Sequence, residues 1–459
     1  MITDNSYQVP CIYPLKKSGK VREILKVTVP GSKSITNRAL LLATLAEGKS
    51  VLKGVLFSDD SRHFLQCIRE LGFETKVDEE TCTVEVIGHG GKVPKAEAFP
   101  YVGSAGTAAR FLSAYLGISE GTYHMDASEQ MRRRPMAPLL ASLQELGCEI
   151  TFEGKEGSFP FTLKGHGFGQ DSISVDIEHS SQFLSALLIA SSLAKKDMHI
   201  HVAGTHGMAY IEMTIHMMEQ FGVHVITQKD GSYIIPAGQR YNAGEYQIEP
   251  DMSAACYFYG LSPLLGVPVQ VAHISYDSMQ GDIAFLQVLE QMGCTVKEHE
   301  EGLIVYPPET ICQNISYHGV DVDMSRFSDQ AITVAALAPF ADGPTTIRGI
   351  GHVRFQECDR MSAILTELGK MGIACEGDES AIIIYPGQPK PSLVETYEDH
   401  RMAMGFSLIG LRAEGITIHN PGCCKKTFEN YFECLGACIE KLSNYSEQVE
   451  ALAAETVRT

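Results

Sequence analysis

The stretch IRELGFETKV (Ile68–Val77) joins a helix-like segment to a strand-like run through Gly72, and the same step returns five times along the chain. The copies are LQELGCEITF at Gly147, MMEQFGVHVI at Gly222, LEQMGCTVKE at Gly293, LGKMGIACEG at Gly372 and FECLGACIEK at Gly436, spaced 64 to 79 residues apart. A glycine directly after a helical pattern is the expected left-handed cap, because glycine takes that conformation without steric penalty. Behind five of the six, a second short strand closes in a turn: VEVIG near Gly88, FTLKG near Gly165, YIIPAG near Gly238, LIVYPP near Pro307 and IIIYPG near Gly387. The repeating unit is therefore helix, strand, turn, strand.

Upstream of each copy lies a second helix-like segment of small and apolar residues that opens on a polar cluster. These clusters are GSKSITNR from Gly31, SAGTAAR from Ser104, HSSQF from His179, PDMSAA from Pro250, SDQAIT from Ser328 and EDHRMAM from Glu398. Each opens with residues suited to capping a helix N-terminus. Behind the cap the pattern is apolar on every side, as in FLSALLIASSLA after Gln182, which predicts helices buried inside a domain. Each repeat reads as βαβαββ, and six copies over two domains give three per domain. With 459 residues, two large cores are the natural expectation. Pro30 and Pro250 each open a repeat and mark the two crossings, giving one domain at 30–249 and another at 1–29 plus 250–459.

Helix N-termini carry unpaired N–H groups and a partial positive charge, so several aimed at one place make a site for small anions. Arg38, Arg110 and Arg401, so near buried helix starts, want partners. The formal charge of −19 argues against a nucleic-acid partner, since the phosphate backbone would be repelled. Hydrophobic residues at 44% and charged residues at 20% are ordinary for a soluble globular chain, and no apolar run approaches transmembrane length. The first twenty residues hold Asp4, Pro10, Pro14 and several lysines around no apolar core, so they do not read as a signal peptide, and a cytoplasmic protein is expected. Thirteen dispersed cysteines without a CxxC pair suggest neither a disulfide framework nor a structural zinc.

The segments GSKSITNRALLLATLAEG, GSAGTAARFL, MRRRPM, SSQFLSALL, SDQAITVAALA, QECDR, TYEDHRMAM and KKTFENYF, taken in that order, resemble the motif series of 5-enolpyruvylshikimate-3-phosphate synthases from about Val27 to about Gly436. The resemblance implies a two-domain inside-out α/β barrel of six βαβαββ units, three per domain, with a cleft between the domains, the 30–249 domain being the shikimate-3-phosphate side. It implies transfer of the enolpyruvyl group of phosphoenolpyruvate to shikimate 3-phosphate, with no metal and no organic cofactor, and a monomer is expected.

Carried over residue by residue, Lys33, Gly106, Thr107, Arg134, Gln182, Arg360, Arg401 and Lys426 resemble the phosphoenolpyruvate-binding set. Arginine's planar fork suits bidentate capture of carboxylate and phosphate. Ser34, Arg38, Ser180, Ser181, Gln182, Tyr210, Asp329, His352 and Gln356 stand at shikimate-3-phosphate positions, with Ser34 and Arg38 on the carboxylate and Ser180 and Ser181 on the phosphate. Asp329 and Glu357, together with Lys33, match the groups assigned to proton transfer: Asp329 at the acceptor hydroxyl, Glu357 and Lys33 at C3.

The chain departs from the family pattern at four positions. Gly207 stands where better-known members place a serine, His352 where they place asparagine, Gln356 where they place lysine, and Ser104 where they place asparagine. Loss of the lysine leaves His206, His352 or Arg354 to compensate. The related UDP-N-acetylglucosamine enolpyruvyl transferases carry a reactive cysteine five residues before their Arg-Pro pair, whereas Glu129 stands there, and their Lys-Asn start differs from Lys33-Ser34. The GSKS segment lacks the upstream glycine of a nucleotide-binding loop. Cys423 and Cys424 have no evident activating base and read as structural thiols.

Overall fold

The computed structural model describes residues 2–3, 5–12, 23–309 and 317–456. Contacts divide the chain into two units, one of Pro30–Glu249 with Met279–Gly281, the other of Met1–Val29, Pro250–Ser278 and Asp282–Thr459. Met279 and Gln280 join the first unit because Glu249 accepts hydrogen bonds from the Met279 N–H (3.3 Å) and Gln280 Nε2 (3.0 Å). Each unit has its own buried apolar cluster.

The described strands form six four-stranded sheets with one recurring plan, an outer strand parallel to its neighbour followed by two antiparallel strands. In one, Glu245–Gln247 runs parallel to Glu47–Lys53, which pairs antiparallel with Thr83–His89, which in turn pairs with Thr75–Asp78. Thr83–His89 shows why such a segment is a strand: Val84 and Val86 alternate inward and are fully buried, while Glu85 between them pairs with Lys49 at 2.9 Å.

Three repeats run continuously as βαβαββ, beginning at the strands Glu97–Ala98, Ser172–Asp176 and Asp321–Asp323. The other three correct the expectation of six contiguous copies. The first sheet of the Pro30–Glu249 unit borrows its parallel strand, Glu245–Gln247, from the end of that unit. In the other unit, Leu25–Val27 pairs with Val269–Val271 across the whole intervening unit. The sheet of Ser392–Val394 and Ile416–His419 is completed by Ile2–Thr3 and Ser6–Gln8 from the chain's beginning, with Tyr7 opposite Ile418.

That last closure explains the sixth copy. Gly72, Gly147, Gly222, Gly293 and Gly372 all take the left-handed conformation, with φ from 76° to 104°. Gly436 does not cap a helix before a strand; it lies inside the helix Tyr431–Thr456. The strands expected after it are replaced by the N-terminal ones, and Tyr7 seals the join by packing on Phe432 at a ring distance of 4.5 Å.

The six helices behind the polar clusters are buried along nearly their whole length. Lys33–Leu45 is buried from Ile35 onward, and Gly106–Ile118 and His400–Gly410 are buried throughout. Gln182–Ser191, Met252–Tyr259 and Ala331–Leu337 follow suit. The outer helices bury one face only, as Asp59–Glu70 does through Phe64, Leu65, Cys67 and Ile68. Fully burying each such side chain contributes roughly 1.5–3 kcal/mol, so the apolar stripe fixes which face turns inward. Among the described residues no helix is long and apolar enough to cross a membrane.

Candidate active site

In the Pro30–Glu249 unit, the starts of three buried helices hold Lys33, Ser34, Arg38, Gly106, Thr107 and Gln182. The residues at the N-cap positions, Ser32, Ala105 and Ser181, make no side-chain capping bond. The expected capping by these polar clusters is therefore absent here, although Ser180 Oγ accepts from the Gln182 N–H at 3.3 Å. Lys33 Nζ lies 3.4 Å from Asp60 Oδ2, a buried carboxylate on the neighbouring helix.

Arg38 is almost fully buried, and its bonded partners are neutral: Thr214 Oγ1 (2.8 Å), the Ser34 carbonyl (3.0 Å) and the Tyr210 carbonyl (3.2 Å), with the Phe111 ring 5.2 Å away. Burial pulls its guanidinium down to about 10, the signature of a cation whose solvation has been removed without an anion in exchange. Thr214 passes its own proton to Ser185 Oγ (3.0 Å) or the Tyr210 carbonyl (2.8 Å). Thr107 Oγ1 accepts from Asn37 Nδ2 at 2.6 Å.

Gly106 is hemmed in by guanidinium groups. A side chain there would start 2.6 Å from Arg110 Nη1 and 3.0 Å from Arg134 Nη1, so only glycine lets both cations close over the helix start. Arg110 in turn donates to the Pro135 carbonyl (2.6 Å) and to Gln182 Oε1 (3.4 Å). Of the arginine run, half-buried Arg132 and exposed Arg133 pair with Asp126 and Glu129. Gly207 has φ of 64°, and a Cβ there would meet Ser181 Oγ at 2.6 Å. That packing accounts for the missing serine at this position: the left-handed backbone and the close serine leave no room for it.

The other unit gathers Asp329, Gln356, Glu357, Arg360, Arg401 and Lys426 into one network. Arg360 is 2% exposed and donates to Asp329 Oδ1 (2.9 Å), Glu357 Oε2 (2.9 Å), Asp399 Oδ2 (2.7 Å) and, in a short contact, Gln356 Oε1. Burial opposes its charge, but Asp399, Glu357 and Asp329 outweigh that and hold its proton more tightly than usual. Arg401 Nη2 donates to Asp329 Oδ2 at 2.7 Å and Lys426 Nζ lies 3.4 Å from Glu357 Oε1. Each of the two carboxylates singled out for proton transfer thus sits between two cations. His352 Nε2 bonds Ser328 Oγ at 2.7 Å, beside Asp329. Arg354 is tied to Asp359 at 3.1 Å and to the Asp378 carbonyl at 2.9 Å.

The sequence reading missed Asp60, Asp282, Ser253 and Asp399. Asp399 lay inside the quoted EDHR motif, where it caps the His400–Gly410 helix by accepting from the Arg401 N–H at 2.9 Å. Asp60 stands in the first turn of an outer helix, where an acid is ordinary. Asp282 carries no local signal at all. Among the described residues, no group of three or more His, Cys, Asp or Glu side chains is arranged to hold a metal ion.

Comparison with known proteins shows the family of the chain. The model of the family described as EPSP synthase (3-phosphoshikimate 1-carboxyvinyltransferase) matches residues 17–435. The 3-phosphoshikimate 1-carboxyvinyltransferases of Nostoc punctiforme and Trichormus variabilis are 42% and 44% identical over 407 residues, covering 88% of this chain and 94% of theirs. The solved EPSP synthase of Acinetobacter baumannii superposes with a TM-score of 0.76 at 25% identity, over 94% of this chain and 97% of that one. An enolpyruvyl transferase of Streptomyces tendae shares the fold, with a TM-score of 0.69 at 16% identity over 92% and 96% of the two chains. Matched across nearly all its length by sequence and by fold, the chain belongs to the EPSP synthase family.

Proposed function

We propose that the protein transfers the enolpyruvyl group of phosphoenolpyruvate to the 5-hydroxyl of shikimate 3-phosphate by addition and elimination, releasing phosphate. The reaction needs a proton delivered to C3, a proton removed from the attacking hydroxyl, and cations that stabilise carboxylate and phosphate throughout. The observation that carries the reading is Arg360, which bonds Asp329 and Glu357 at 2.9 Å each and so holds two acid–base candidates beside three cations. In this scheme Asp329 takes the hydroxyl proton, while Glu357 and Lys33 serve C3. Arg134, Arg360, Arg401 and Lys426, with Gly106, Thr107 and Gln182, receive phosphoenolpyruvate.

For the acceptor, Arg38 is suited to its carboxylate, because a buried guanidinium bonded only to neutral groups gains most from an anion. Ser34, Ser180, Ser181, Gln182 and Tyr210 complete that set, with Asp329, His352 and Gln356. Arg354, bonded to Asp359 at 3.1 Å, His352, bonded to Ser328 at 2.7 Å, and His206 are the groups that could replace the missing lysine.

Phosphate release tests the proposal directly: both substrates together should give it and neither alone should. Lys33→Met and Glu357→Gln should each lower kcat by about 100-fold or more, with the circular dichroism spectrum unchanged. Near-normal turnover in either would refute its assigned role. Turnover with unphosphorylated shikimate equal to that with the phosphorylated acceptor would refute the acceptor assignment.

A further inference from the structure

Asp282 differs from the acids bonded to Arg360. Asp329, Glu357 and Asp399 each bond a cation, whereas Asp282 is 4% exposed and its bonded partners are neutral. Its Oδ2 accepts from Gln330 Nε2 at 2.9 Å and, in a short contact, from Ser253 Oγ. A serine that has given its proton to a carboxylate offers its other neighbour lone pairs only. That neighbour is Arg401, whose Nη2 donates to Ser253 Oγ at 3.3 Å and to Asp329 Oδ2 at 2.7 Å. The donors therefore run in one direction, from Arg401 through Ser253 to Asp282.

Gln330 is oriented from the same acid. With its Nε2 on Asp282, its Oε1 accepts from Thr333 Oγ1 at 2.9 Å, and the residue directly precedes the buried helix and follows Asp329. Asp282 thus braces Asp329 on two sides, through the backbone neighbour and through the arginine. Stability explains this poorly. Burial first, and then the charge of Asp329, push the Asp282 carboxyl up to about 6, so the ionised form is held at a cost. Arg401 offsets only part of that cost, so the arrangement is better accounted for by orientation than by stability.

We propose that Asp282, acting through Ser253 and Gln330, is a positioning residue that fixes the Arg401 guanidinium and the Asp329 carboxylate for the enolpyruvyl chemistry. The proposal rests on the assignment of Arg401 to phosphoenolpyruvate. Ser253→Ala removes one acceptor of Arg401 and leaves the helix intact, and Asp282→Leu removes the acceptor of Ser253 at similar volume. Each should raise KM for phosphoenolpyruvate about fivefold to tenfold, the worth of one ordinary hydrogen bond, with a smaller rise in KM for shikimate 3-phosphate, whose proposed set includes Asp329. Because the two act in series, the double variant should be no worse than the worse single variant, and Ser253→Thr, which keeps the hydroxyl, should restore most of the affinity.

Arg401→Gln serves as the reference. If it leaves KM for phosphoenolpyruvate unchanged, the underlying assignment fails and the proposal with it. If Arg401→Gln raises KM while folded Ser253→Ala does not, or if the effects of Ser253→Ala and Asp282→Leu simply add, the relay alone is overturned.

Discussion

At the scale of single residues, the site separates two ways of placing a charge in a protein interior. Arg360 is surrounded by carboxylates and keeps its proton the more firmly for it. Arg38 and Asp282 hydrogen-bond to neutral groups, and burial, the largest cause in each, moves both toward their uncharged forms. The consequence for Asp282 can be measured. Its folded-state pKa, about 6, lies above the ordinary 3.8, so between those values the folded protein binds more protons than the unfolded chain. Stability contributed by this group therefore falls as pH rises from about 4 to about 6 and stays lost above. Asp282→Asn should relieve that loss: its stability relative to the parent should improve by up to about 2 kcal/mol between pH 4.5 and pH 8 in denaturant titrations. A difference that stays constant across that range would show that the ionised carboxylate is not the source of strain.

At the scale of elements, the repeat glycines divide by conformation rather than by sequence. Gly372 and Gly436 follow the same Leu/Met-ended helical pattern, yet Gly372 has φ of 76° and Gly436 is helical with open space where a Cβ would stand. The same substitution should act with opposite sign at the two positions. Gly372→Ala forces a side chain into the left-handed region and should cost about 1–2 kcal/mol. Gly436→Ala adds helix propensity at no steric expense and should gain up to about 1 kcal/mol. Thermal unfolding of the two variants side by side checks this; a loss at Gly436 would mean that its helix needs the glycine for a reason outside its own backbone.

At the scale of the whole molecule, closure of the sixth sheet by the chain's beginning ties residues that lie more than four hundred positions apart. Tyr7 is 6% exposed, pairs opposite Ile418 and packs on Phe432, so it is the large apolar anchor of a short segment, also bonded through Asn5, Val9 and Ile12, that covers the edge of the Ile416–His419 strand. Tyr7→Ala should destabilise its unit by about 3 kcal/mol and expose a strand edge to proteolysis or association. An unchanged melting temperature together with unchanged proteolysis would place the closure elsewhere.

The sequence alone determined the repeat, its count, the burial of the inner helices and the order of the family's motifs. Each of these rests on local geometry: a 3.6-residue or two-residue period, a glycine where φ must be positive, a motif read along one stretch. Tertiary structure alone decided which strands complete the first and sixth sheets, why Gly207 excludes a serine, and that Arg360 joins Asp329 to Glu357. It alone brought Asp282 to Ser253 and Gln330, residues 29 and 48 positions away. Such pairings depend on how the chain returns upon itself, and no periodicity in a linear sequence records where a distant segment will come to rest.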